Sequence, residues 1–71
     1  MPSQVLAPMP GLVARVEVSV GDTVAKGDLV VVLNVMKTEV PVKTEIVGQV
    51  AEIHVAEWDE MEVGTPMVTL T

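Results

Sequence analysis

Valine and leucine fall along this chain in short runs that either alternate with polar residues or continue without a break. Leu29 to Leu33 is continuous, and a second run, Glu39 to Val42, follows after a few residues. Runs of this length, rich in β-branched side chains, predict strands. A tight turn should join them. Favoured two-residue turns use Asn-Gly, Asp-Gly or Gly-X, because the backbone needs positive φ there. Met36-Lys37 stands at the tip instead. An apolar thioether and a long amine break the local rule with no evident folding gain, and such breaks mark candidate functional sites.

The pattern repeats. Residues 4–33 align with 41–70 without gaps, at an offset of 41 − 4 = 37. Gly11 falls on Gly48, Val13-Ala14 on Val50-Ala51, Asp22 on Asp59, Gly27 on Gly64, Val31 on Val68 and Leu33 on Leu70. Each copy predicts a short extended segment (Val5-Leu6-Ala7; Val42-Lys43-Thr44) and then a turn ending in Gly11 or Gly48. An alternating strand follows, with Val13, Val16, Val18 and Val20 inward in the first copy and Val50, Ile53 and Val55 in the second. The slip in spacing between Val13 and Val16 marks a bulge. A polar loop, one more inward residue (Val24, Met61), a turn and a last strand complete each copy. That makes about four strands per copy and eight in all.

Neither copy can hide an apolar face alone, so the two must stack. The expected fold is all-β, a flattened barrel or sandwich of two four-stranded sheets with quasi-twofold symmetry. One domain spans 1–71, with residues 34–40 as the hairpin connector. The connector's midpoint is Lys37, which symmetric packing would put near the pseudo-twofold axis and far from both termini.

Composition narrows the chemistry. The chain has 71 residues, no Cys, Phe or Tyr, one Trp and a formal net charge of −6. The core must be aliphatic, and no window carries a capped helical pattern. Without cysteine there is no disulfide or thiolate chemistry, and a cytoplasmic, reducing setting is the expectation. The start, Met1-Pro2-Ser3-Gln4, has no basic region or apolar run of the secretory kind. The acidic balance argues against nucleic acid and anionic membrane as partners, and no apolar run is long enough to span a bilayer. Because each copy covers the other, a monomer is expected.

Other chemistry-bearing residues have ordinary readings. Lys26 sits in a Gly-Asp turn and Lys43 on a solvent face. His54, the only histidine, takes the outward position of Glu17 in the other copy and has no second ligand or orienting partner. The acidic run Glu57 to Glu62 lacks the oxygen-ligand spacing and turn glycine of a calcium loop. Trp58 replaces Gly21, so either its loop is rearranged or its ring covers an apolar edge, and a contact with a partner is a third reading, since Trp is enriched at interface hot spots. No nucleophile–base set can be assembled, so the chain is not an enzyme by itself.

Ala7-Pro8-Met9-Pro10-Gly11, Gly21-Asp22, Gly27-Asp28, Met36-Lys37 and Gly64-Thr65-Pro66-Met67 together resemble the biotinyl/lipoyl carrier domain family, over essentially the whole chain. The motifs look most like the biotin carboxyl carrier branch. The resemblance implies a barrel-sandwich fold and biotin joined covalently to Lys37 by a biotin protein ligase. It further implies an arm that shuttles a carboxyl group between a biotin carboxylase and a carboxyltransferase. Met36, Val35 and Thr38 would flank the attachment site and count with Lys37 as cofactor-binding residues, and Met36, an adaptable thioether at the turn tip, is expected to be an exposed recognition contact. Asn34, Val35 and Thr38 depart from the Glu, small residue and Met or Leu usual in this branch. Lipoate on the same lysine, or an unmodified docking module, stay open as alternatives. In either carrier reading the ligase supplies the base, and the carrier supplies presentation of the amine. Acylation removes the lysine charge.

Overall fold

The computed structural model describes residues 3–71. The described residues contain eight strands and no helix. These are β1 Ser3–Leu6, β2 Gly11–Val16, β3 Thr23–Val24, β4 Leu29–Val35, β5 Thr38–Lys43, β6 Gly48–Ile53, β7 Glu60–Met61 and β8 Pro66–Leu70. They form two antiparallel four-stranded sheets in the orders β1-β8-β6-β3 and β5-β4-β2-β7. The expected all-β sandwich is therefore what the chain adopts.

The offset of 37 carries β2 onto β6 and β3 onto β7 residue for residue, and it carries the first sheet order onto the second. Each sheet mixes strands from both copies, so neither copy has a complete sheet of its own. The loops add a reciprocal clasp. Gly21 N donates to Val50 O at 2.8 Å, and Trp58 N donates to Val13 O at 2.7 Å. Val50 N donates to Asp22 O, and Val13 N to Asp59 O. The bulge expected near Val13 lies between Val13 and Arg15, and its twin lies between Val50 and Glu52.

The core is aliphatic because valine fills the inward phase of every long strand. Val13, Val31 and Leu33 are fully buried, as are their repeat partners Val50, Val68 and Leu70. Val24 and Met61 are buried too. Thr44 occupies the buried place of Ala7, and its hydroxyl is satisfied locally. Oγ1 donates to Ile46 O at 2.9 Å and accepts from Ile46 N at 3.0 Å, which removes the cost of an unpaired buried hydroxyl.

Two expectations fail. Val20 was expected to face inward and is 64% exposed. Strand β2 ends at Val16, and Asp22 Oδ2 accepts from Ser19 N at 2.8 Å to form a side-chain-closed turn. Strand alternation no longer applies inside such a turn. Lys37 was expected near the pseudo-twofold axis. The hairpin pair Leu33–Val40 is instead the repeat image of the pair Leu70–Ser3. The axis thus exchanges the hairpin with the paired chain ends and passes elsewhere. Gln4, Val5 and Leu6 face their own images Pro41, Val42 and Lys43 across a cleft between β1 and β5, and that cleft is where the axis runs. A midpoint in sequence need not be a point on the axis.

Candidate functional site

Strands β4 and β5 pair from Leu29–Lys43 out to Val35–Thr38. That register leaves Met36 and Lys37 as a two-residue loop. Their φ angles are +50° and +68°. Positive φ at both central residues is the type I′ pattern, whose twist matches that of the strands it joins. The connector expected over 34–40 is thus mostly strand, and the turn is only two residues. Left-handed backbone costs a residue with a Cβ about 1–2 kcal/mol. Neither side chain recovers that by burial, since Met36 is 93% exposed and Lys37 is exposed.

The base of the turn is held from below. Val35 is half-buried against the core, and Thr38 is exposed at the start of β5. The backbone of Gly11 passes so close that a Cβ there would stand 2.8 Å from Val35 Cγ2 and 3.0 Å from Asn34 O. On the outer side, Arg15 Nη1 donates to Glu39 Oε2 at 2.9 Å, and Arg15 Nε donates to Glu17 Oε1 at 3.0 Å. These bonds to Glu39 and Glu17 raise the Arg15 pKa above its ordinary value, so the guanidinium that links β2 to β5 stays charged at any working pH. A shallow groove beside the turn is bordered by Pro10, Gly11, Leu12, Met36, Lys37 and Glu60.

Among the described residues, Lys37 has no carboxylate within ion-pair distance. Lys26 lies 4.0 Å from Glu45 on the surface. Lys43 is exposed on β5. His54 is exposed and shares a 2.7 Å hydrogen bond with Thr69 Oγ1. Among the described residues no group of His, Cys, Asp and Glu could hold a metal ion. The structure thus places Met36 and Lys37 at the crest, with Val35 and Thr38 as their footing. Sequence reasoning missed Gly11, Leu12 and Glu60 as neighbours of the crest. The glycine register Gly11–Gly48 was the one signal that pointed there.

A family model described as "Biotin-requiring enzyme", covering the biotinyl/lipoyl domains, matches residues 3–70. The chain belongs to the biotinyl/lipoyl carrier family. Within that family it falls in the biotin carboxyl carrier branch. It is 36% identical over 64 residues to the biotin carboxyl carrier protein of Streptococcus mutans, across 90% of this chain and 49% of that protein. It is 38% identical over 64 residues to the biotinylated protein TB7.3 homolog of Mycobacterium leprae, across 90% of each. The structure superposes on Kluyveromyces lactis urea carboxylase with a TM-score of 0.92 and 27% identity, over 100% of this chain and 6% of that one. The chain thus spans about half of the streptococcal carrier and a small part of the carboxylase. As a biotinyl domain it is a carrier and not itself a catalyst. The residues present fit covalent biotin. An amide anchor needs an amine open to solvent, and Lys37 supplies one beside the partly apolar groove.

Proposed function

We propose that this chain is a biotin carboxyl carrier domain whose Lys37 is the attachment site. The observation that carries this reading is the crest itself. A lysine is held at a strained two-residue turn, exposed and free of ion pairs among the described residues, on a rigid pair of strands. A biotin protein ligase would supply an activated biotinyl carboxyl, made with a nucleoside triphosphate, and a base. The Lys37 amine attacks the carboxyl carbon, an amide C–N bond forms, the activating group leaves, and the base takes the amine proton. When bound, biotin supplies the ureido nitrogen on which a carboxyl group is carried.

The chain's own contribution is positional. Strands β4 and β5 fix the base of the arm, while the lysine stem adds freely rotating bonds. Tethering keeps the arm's end at high effective concentration for a biotin carboxylase and a carboxyltransferase in turn. Met36 serves as an exposed contact for those partners, Val35 as the anchor of the turn on the core, and Thr38 as the first residue of the returning strand. The domain acts as a monomer, since the inner faces of both sheets already cover each other.

Intact mass after incubation with a biotin protein ligase, biotin and nucleoside triphosphate tests this. One biotinyl increment is expected, and none for Lys37→Ala. A lipoyl increment with a lipoate ligase and no biotinyl increment would transfer the carrier role to lipoate. No increment with either would leave a docking module.

A further inference from the structure

One departure from the internal repeat is Trp58, in the place of Gly21. The loop is not rearranged around it, since φ is +72° against +97° for the glycine, and the residue is 66% exposed. A second departure lies on the outer face of the sheet that carries the crest. It holds a carboxylate two residues from Lys37.

Arg15 on β2 pairs with Val32 on β4, and Val32 pairs with Pro41 on β5. Glu39 is two residues from Pro41 and so shares its face of β5. The sheet order is β5-β4-β2, so the Arg15 side chain crosses β4 to reach Glu39. It meets the carboxylate with both ends of its fork. Nη1 donates to Oε2 at 2.9 Å and Nη2 to Oε1 at 3.4 Å. Val32, beneath this crossing, is 3% exposed although it lies outside the inner core cluster. The offset of 37 puts Glu52, Thr69 and His54 in the places of Arg15, Val32 and Glu17. There a single His54–Thr69 bond forms, and a glutamate in the arginine's place has no proton to give a carboxylate. Among the described residues, the three-strand bridge belongs only to the sheet that bears Lys37.

Glu39 is the acidic residue nearest to Lys37 in sequence. Their Cα atoms stand no more than about 7 Å apart, within the joint reach of the two side chains. Glu60 and Glu62 border the groove on its β7 side. Among the described residues none of these carboxylates is within ion-pair distance of Lys37.

We propose that Arg15 is a positioning residue for the acylation of Lys37: by holding both oxygens of Glu39 across β4, it keeps that carboxylate from pairing with the lysine. This rests on the reading of Lys37 given above. The amine attacks an acyl carbon with its free lone pair. A carboxylate beside it favours the ammonium, and an ion pair would also tie the side chain down to the strand. A guanidinium fork matches both oxygens of a carboxylate, which a single ammonium cannot do. Arg15 therefore wins the competition for Glu39 and leaves the amine free.

The test is acylation of the whole chain by the N-hydroxysuccinimide ester of acetic acid, at neutral pH and low salt. The Lys37 amine attacks the ester carbon, the amide C–N bond forms, N-hydroxysuccinimide leaves and buffer takes the proton. Peptide mass follows Lys37, with Lys26 as internal reference. Arg15→Gln should slow Lys37 about two- to fourfold, the scale of an exposed ion pair, and added salt should erase the difference. Glu39→Gln alone should be as fast as wild type. Adding Glu39→Gln to Arg15→Gln should restore the rate, and adding Glu17→Gln, which restores net charge only, should not. Labelling by a purified biotin protein ligase should follow the same order. A bridge that merely stiffened the strands would slow both single variants alike, with no rescue, and that pattern overturns the proposal. Arg15→Gln at the wild-type rate, or equal rescue by Glu17→Gln, overturns it too. A wild type that takes no biotin from the ligase, with the ester pattern as expected, overturns the attachment reading and supports the control of the amine by Arg15.

Discussion

Gly11 and Val35 approach so closely that no side chain fits between them: a Cβ on Gly11 would stand 2.8 Å from Val35 Cγ2. Val35 immediately precedes the turn that carries Lys37, so the space beneath the crest is set by a residue far away in sequence. Gly11→Ala must displace Val35 or the Asn34 carbonyl. We expect it to cost about 1–3 kcal/mol in urea denaturation, as overpacking does. It should also slow biotinylation by tilting the turn. Unchanged stability would mean that the strand pair yields without cost.

The turn itself should be under strain that function requires. Replacing Met36-Lys37 by Asn-Gly gives the residues that a type I′ loop prefers. This double variant should be more stable than the wild type by about 1 kcal/mol and should accept no biotin. Equilibrium unfolding checks the first outcome and intact mass the second.

Met36→Ala separates recognition from folding. The side chain is almost wholly exposed, so stability should change by less than about 0.5 kcal/mol. Labelling by the ligase should weaken through KM. Labelling kinetics equal to the wild type would remove Met36 from the recognition surface.

Leu33 and Leu70 are repeat partners, both fully buried in the shared core. Truncating either to Ala should cost about 2–5 kcal/mol. A domain of this size holds on the order of 4–10 kcal/mol in total, so each variant should sit near the edge of folding. Similar losses at the two sites, measured by chemical denaturation, would confirm energetic as well as geometric symmetry.

Arg15 tests the outer link to the hairpin strand. Its pKa is raised by the hydrogen bonds to Glu39 and Glu17. A group raised in the folded state contributes fully below its unfolded value, and that contribution is lost only as pH rises through the folded value. For a guanidinium that window lies far into alkali. The Tm difference between wild type and Arg15→Gln should therefore show no change from this group across neutral pH. It should be small and shrink with added salt, because the pair is exposed.

Much of this architecture was legible from residue order. The offset of 37 placed the inward positions Val13, Val31 and Leu33 on Val50, Val68 and Leu70, because period-2 alternation and burial obey the same geometry in both copies. The misfit of Met36-Lys37 with turn chemistry located the crest, since any residue kept at positive φ against its own preference is visible as a broken rule. Other features depended on three-dimensional packing. Val20 left the core because a side-chain-capped turn ended the strand early. Lys37 fell away from the symmetry axis because strand pairing, and not chain length, decides what a twofold exchanges. Gly11 beneath Val35 and Glu60 beside Leu12 are neighbours of the crest only through sheet pairing. Contacts between residues distant in sequence depend on register and sheet order, and local propensity carries no information about either.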